Sequence, residues 1–341
     1  MKLAAAFLGV VIASLLTIAM LFTAGWVRPP ILSTQVGFRG LAMNQLTTPA
    51  ARSKLELANA LPEAVPPAEP GGPLAVDTYK NVKVLTDLTT VQFNTLMAAI
   101  TTWVAPNEGC GYCHNTDNLA DDGIYAKTVA RRMIQMTRHV NKDWKAHVAN
   151  TGVVCWTCHR GNPVPANVWT NGMGWPQAGG FATTNYGMGH PDAANGSTAM
   201  TQDPYTALND KSVIRVQATK ALPANSNGAS IFATEQTYSL MIAMSQGLGV
   251  NCVFCHNSRE FGQWPESTPQ RLTAWHGIQM VRDLNGAYLD PLKTVLPASR
   301  LGPLGDAPKL NCATCHQGAS KPLLGVSLAK NYPELGGTPA K

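Results

Sequence analysis

The chain contains eight cysteines, and every one of them falls in a C-x-x-C-H unit. The units are Cys110/Cys113/His114, Cys155/Cys158/His159, Cys252/Cys255/His256 and Cys312/Cys315/His316. No other feature limits the fold so strongly. A C-x-x-C-H run is the attachment site of a c-type haem, in which two thiols form thioethers with the porphyrin and the histidine ligates the iron. Four such runs that consume every cysteine point to four covalently bound haem c groups. The rival reading pairs the C-x-x-C runs into four-cysteine zinc sites. It leaves unexplained why a histidine follows each pair directly.

Length and composition allow one large domain, or two smaller ones with appendages: 341 residues, 45% hydrophobic and 13% charged. The formal charge of +6 is nearly cancelled or reversed by the propionates of four haems, so it does not argue for nucleic acid. Arg131, Arg132, Arg138, Arg160, Arg271 and Arg282 lie near the motifs. Each is a candidate partner for a propionate or part of a solvated helix face.

Residues 4–27 are uncharged and apolar, with Lys2 in front. About 20 apolar residues span a bilayer, whereas a signal peptide has a core of about 7–15. The run is long and has no clear A-x-A site, so an uncleaved N-terminal transmembrane anchor (1–30) is expected, with a cleaved signal as the alternative. Residues 31–75 read as an extended linker, rich in Pro, Ala and Glu toward its end. Helices are expected over roughly 90–101, 122–148, 234–247 and 269–286, the last capped by Thr268 with Pro269 at its first position. The fold class is mainly α with extensive coil, a multihaem cytochrome c. Its parts are a first two-haem half (76–162), a loop-rich connection (163–230), a second two-haem half (231–320) and a C-terminal tail (321–341).

The two halves read as copies of one another. Thr95-Leu96-Met97-Ala98-Ala99 before the first motif matches Ser239-Leu240-Met241-Ile242-Ala243 before the third. Arg131-Arg132-Met133-Ile134-Gln135-Met136 before the second matches Trp275-His276-Gly277-Ile278-Gln279-Met280 before the fourth. A methionine at a repeated position just upstream of a haem motif is a candidate axial ligand, which selects Met97, Met133 and Met241. Met244 falls against Ile100 and is the poorer candidate, and Met136 reads as packing. The position of Met133 is occupied by Gly277 in the second half, so the fourth haem needs a different sixth ligand or has none. The histidines outside the motifs are His139, His147, His190 and His276.

Tyr125, Val129, Met133, Met136, Val140, Trp144 and His147 recur at spacings of three and four, one helical stripe. Met133 and His147 lie roughly 21 Å apart along an unbroken helix at about 1.5 Å per residue. They cannot serve one iron. If both are ligands, one helix bridges two haems, Met133 to the second and His147 to the fourth.

Four C-x-x-C-H motifs, three upstream helical methionines and a histidine shared across the halves resemble the tetrahaem cytochrome c subunit of purple-bacterial photosynthetic reaction centres. The run RRMIQMTRHVN and CWTCHRG carry the likeness, which covers about residues 75–320. The resemblance implies His/Met ligation for three haems (Met97 with His114, Met133 with His159, Met241 with His256) and His/His ligation for the fourth (His147 with His316). It implies an electron carrier rather than an enzyme, passing electrons from a soluble periplasmic donor to the photo-oxidised bacteriochlorophyll pair. That donor would be a small cytochrome c or a high-potential iron–sulfur protein. The implied partners are the reaction-centre L and M subunits, with the light-harvesting antenna a further candidate neighbour. The implied location is the periplasmic face of the inner membrane. The better-known members carry an N-terminal lipid-bearing cysteine, which is absent here, so the apolar helix would replace that anchor. The competing reading is a membrane-anchored tetrahaem quinol dehydrogenase. Such proteins are mostly bis-His, and this chain has few histidines outside its motifs.

Overall fold

The computed structural model describes residues 2–23, 30–36, 43–64, 66–172, 203–210, 213, 214, 216 and 230–336, and His190 lies outside them. The architecture is mainly helical with much irregular chain. Helix α1 (Lys2–Thr23) leads. Its Ala4–Thr23 stretch is long and apolar enough to cross a membrane, and Phe7, Leu16 and Leu21 stand exposed along it.

The sequence reading makes 31–75 extended. The structure instead builds an antiparallel hairpin, β1 (Leu32–Val36) with β2 (Met43–Thr47), and then helix α2 (Pro49–Ala58). The Thr48 hydroxyl accepts from the Ala51 N–H and Pro49 takes the first helical position. That start signal and a run of good helix formers outweigh the prolines further on. The segment is strapped to the haem motifs: Trp156 Nε1 donates to Ala60 O at 2.9 Å, Asn59 Nδ2 to Gln317 O at 3.3 Å, and Gln45 Nε2 to Gly249 O.

A longer helix precedes each C-x-x-C-H motif. Helix α3 (Thr90–Val104) opens on a capping box between Thr89 and Gln92. Helix α4 (Tyr125–Asp143) is not the continuous helix to residue 148 that the spacing predicts. It stops at Trp144 (φ −107°, ψ 28°), and a separate turn, α5 (Lys145–Val148), carries His147. At the break, the Trp144 indole N–H donates to Asp283 across the molecule, at 2.9 Å. In the second half, helix α7 (Ile231–Leu248) is capped by Ser230 and ends on Gly249 in the left-handed region. Helix α8 (Pro269–Leu284) runs on into a π turn, Asn285–Leu289. Thr268 sits at its start as expected, but the hydroxyl donates to Phe254 O at 2.6 Å instead of capping the helix.

Motifs two and four are themselves short helices, α6 (Cys155–His159) and α9 (Cys312–His316). Each is held by the helix that precedes the other motif of its half. Gly161 N–H donates to Trp103 O at the end of α3 at 2.9 Å, and Gly318 N–H donates to Gly247 O near the end of α7 at 2.8 Å. The second contact is close: a Cβ at 247 would stand 3.0 Å from Ala313 N.

Three apolar clusters follow this layout. Leu96, Ala99 and Trp103 of α3 pack with Ile134 and Val154 in the first. Leu240 of α7 packs with Ile278 and Val281 of α8 in another. The third lies between the halves, where Val140 of α4 meets Met280 and Leu284 of α8, with Met133, Met136 and Trp144 packed against it. The stretch read as a C-terminal tail also joins the core: Tyr332 packs edge-on against Trp103 at 4.6 Å, and Leu335 is fully buried.

Two buried asparagines tie the helices to the motifs. Asn141 Nδ2 donates to Val153 O at 2.9 Å, and Val153 N–H donates back to Asn141 Oδ1 at 2.7 Å. Asn285 Nδ2 donates to Leu310 O at 2.9 Å, and Leu310 N–H donates back to Asn285 Oδ1 at 2.8 Å. Each clamp grips the residue two before a motif cysteine. Replacing Asn285 with Ala strands a buried N–H and a buried C=O. The expected loss of stability is about 1–3 kcal/mol, read as a lower denaturant midpoint with an unchanged slope. A midpoint equal to that of the parent chain would contradict the clamp.

Candidate haem sites

The four motif histidines share one restraint, reached by two backbone routes. In motifs one and three a 3₁₀ turn (Gly109–Tyr112 and Cys252–Phe254) brings the histidine amide back to the first cysteine's carbonyl, His114 N–H to Cys110 O and His256 N–H to Cys252 O, each at 3.0 Å. The asparagine that follows then starts a tight turn. Asn115 Oδ1 accepts from Asp117 N–H at 3.1 Å and Asn257 Oδ1 from Arg259 N–H at 3.0 Å. The turn returns a carbonyl to the ring: His114 Nδ1 lies 3.1 Å from Leu119 O, and His256 Nδ1 lies 3.0 Å from Phe261 O.

Motifs two and four use a left-handed pair of residues instead. Arg160 and Gly161 have φ of 49° and 80°, and Gln317 and Gly318 have 46° and 81°. Glycine at the second place removes the Cβ clash that this conformation brings. The chain doubles back within three residues, and His159 Nδ1 meets Asn162 O while His316 Nδ1 meets Ala319 O, both at 2.8 Å. In all four cases a donating Nδ1–H leaves the Nε2 lone pair free and aimed, the arrangement metal-binding histidines use. Burial pushes the His316 imidazole down to about 4 and lowers His159 and His256 as well, so these rings stay neutral.

His147 meets the same specification from outside the motifs. Its Nδ1 lies 2.9 Å from Thr273 O on α8, and burial again lowers its proton affinity. Its ring occupies the space above Gly277: a Cβ there would stand 2.6 Å from His147 Cε1. The ring lies beside His316 with centroids 6.1 Å apart and planes inclined at 66°. Two imidazoles on opposite sides of one metal have centroids roughly 6 Å apart, given metal–nitrogen bonds of about 2.0 Å. A cavity of about 460 Å³ surrounds the pair and is lined also by Cys312, Cys315, Gly277 and Met280.

Of the other histidines, His139 is committed elsewhere. Its Nδ1 lies 2.8 Å from Asp143 and its Nε2 lies 2.6 Å from Asp283. Burial alone would lower its pKa, but the two carboxylates outweigh it and raise it. A ring bonded at both nitrogens has no lone pair for iron. His276 neighbours Gly277 on α8 and is half-buried. Met97, Met133 and Met241 are each half-buried at the edge of a different apolar cluster. Met244 packs against the same cluster as Met241 and also lines the His147/His316 cavity with Met280.

The surroundings suit an acidic, apolar prosthetic group. Arg160 is held by Asn59 Oδ1 and Cys315 O at 3.4 Å through Nη2 alone, while its buried Nε and Nη1 have no protein partner. A haem propionate is the anion that would satisfy them. Cys158 and Cys315 stand joined as a disulfide with Cα atoms 4.5 Å apart, and the other six cysteines are free thiols. A sulfur in a disulfide cannot also form a thioether, so haem attachment at motifs two and four requires both as thiols. Among the described residues no group of three or more His, Cys, Asp or Glu side chains gathers to hold a bare metal ion.

The clamps at Asn141 and Asn285 go unnoticed in the sequence. The signal was present, because both lie eight residues after the matched positions 133 and 277.

The photosynthetic reaction center cytochrome c subunit of Rubrivivax gelatinosus is 47% identical over 318 residues, covering 93% of this chain and 87% of that protein. The subunit of Thermochromatium tepidum is 45% identical over 94% of this chain and 79% of its own length. That of Roseobacter denitrificans is 43% identical over 80% and 76%. Residues 27–336 match the family described as photosynthetic reaction centre cytochrome C subunit, and the chain belongs to that family.

Proposed function

We propose that this chain carries electrons to a photosynthetic reaction centre through four covalently bound haem c groups. The observation that carries the reading is His147, seated in the space a side chain at Gly277 would need, with its ring centroid 6.1 Å from that of His316. It supports a bis-imidazole site formed by residues from both halves. Haem supplies a reversible one-electron couple. The protein's part is to hold ligands, exclude water and set the charge around each site. Cys110/Cys113, Cys155/Cys158, Cys252/Cys255 and Cys312/Cys315 are the attachment thiols. The residues that would hold the irons are His114 with Met97, His159 with Met133, His256 with Met241, and His316 with His147. Ligands in such pairs would leave no position for a substrate, which suits electron transfer rather than bond chemistry.

The two halves read as copies related by a shared plan. Matched glycines bond the end of α3 to motif two and the end of α7 to motif four, and matched asparagines clamp the two approaches. The closeness of Cys158 and Cys315 supports neighbouring second and fourth haems, as in a linear order of one, two, four, three. The partners are then the L and M subunits near the third haem and a soluble donor near the first. Helix α1 is the anchor, holding the remainder at the periplasmic face. A quinol dehydrogenase is less well supported, because His139 is committed to two aspartates and bis-His ligation would need more free histidines.

A light flash on native membranes should oxidise this cytochrome and a soluble donor should re-reduce it; absence of photo-oxidation would end the photosynthetic reading. Replacing His147 with Met should raise the potential of the fourth haem and leave the second nearly unchanged, because axial Met favours the reduced state. Met133→His should lower the second haem, while Met136→Leu changes only packing. Potentiometric titration of each variant decides the matter, and a shift of the second haem in the His147 variant would refute the assignment.

A further inference from the structure

The carbonyl of Leu119 receives two donors. One is Nδ1 of His114, at 3.1 Å. The other is the side chain of Lys127, one turn into α4, whose Nζ lies 2.9 Å from the same oxygen and 2.7 Å from Asp121 O. Lys127 is buried, 7% exposed. Its counter-ion is Asp122, at 3.2 Å, and that carboxylate is shared with Lys83 at 2.7 Å and Arg131 at 2.9 Å. Three cations therefore converge on one carboxylate beside the first motif.

We infer that Lys127 is a positioning residue that raises the reduction potential of the first haem through the carbonyl it shares with His114. This rests on the proposed ligation by His114. A carbonyl oxygen has two lone pairs and accommodates both donors. The ammonium draws electron density from the oxygen, so the imidazole N–H bond to it weakens. An outer acceptor raises the basicity of a ligating imidazole, and weakening that acceptor lowers it, which favours the reduced iron. A fixed positive charge at this distance acts in the same direction.

At the third motif the acceptor is Phe261 O, at 3.0 Å from His256 Nδ1. The residue matched to Lys127 is Arg271, which donates to Gln263 O at 2.9 Å and Gly262 O at 3.4 Å and lies over the Trp264 ring at 4.2 Å. It also donates to Ser267 Oγ at 2.7 Å, and its charge acts on His256 through space.

The test is a potentiometric titration of the full chain carrying four haems, with variants of opposite expected sign. Lys127→Met should shift the first haem's equilibrium toward the oxidised form by roughly three- to tenfold, the upper figure being about 59 mV for one electron. Lys127→Gln, which keeps a neutral donor, should shift it the same way by less. Asp122→Asn leaves the cations uncompensated and should shift it toward the reduced form. The other three potentials should stay unchanged. An unmoved first haem in both Lys127 variants would overturn the inference, as would shifts of the same sign for Lys127→Met and Asp122→Asn, the mark of a loosened loop. His114→Ala separates the underlying reading: if that variant keeps four low-spin haems with the parent potentials, His114 is not the ligand and both readings fall.

Discussion

The imidazole of His147 lies in the space that a side chain at position 277 would need, and much of the fold follows from that contact. It brings the turn after α4 against the middle of α8, so the two halves share one boundary and one apolar cluster. The break at Trp144 belongs to the same arrangement. An unbroken helix would carry residue 147 along the α4 axis, whereas the displaced turn sets its Nδ1 on Thr273 O and its ring beside His316. The Trp144 bond to Asp283 fixes the break from the other side.

A second constraint recurs at each site. Every motif histidine, and His147, is oriented by a backbone carbonyl rather than by a carboxylate. A carboxylate partner would add a negative charge and stabilise oxidised iron more strongly. With neutral acceptors at each ring, differences between the proposed sites would come from the distal ligand and from nearby cations. Asp283 and Asp143, the carboxylates closest to the α4–α8 contact, are occupied by His139 instead.

The candidate sites can be read in the sequence because covalent attachment would demand fixed spacing: two thiols and a histidine must reach one porphyrin. Gly277 stands out in the sequence because the similar stretch before the second motif carries Met133 at that place. What escaped was set by partners distant in sequence. Nothing local in Trp144 announces an aspartate 139 residues away. Tyr332 and Leu335 follow prolines and glycines and read as a tail, yet they close the core of the first half. The Thr268 hydroxyl is equally suited to cap its own helix, and it bonds Phe254 O only because motif three lies against it. The β1–β2 hairpin has no strong turn signal between its strands.

The central claim is that one imidazole from the first half completes the iron site of the last motif, and ligand-sensitive spectroscopy reads this most directly. Low-temperature EPR and near-infrared magnetic circular dichroism of the oxidised four-haem protein should give three histidine–methionine centres and one bis-imidazole centre, the latter absent when His147 is replaced by Ala. Four histidine–methionine centres, a five-coordinate centre in the parent protein, or a bis-imidazole signal that survives the His147 replacement would contradict it.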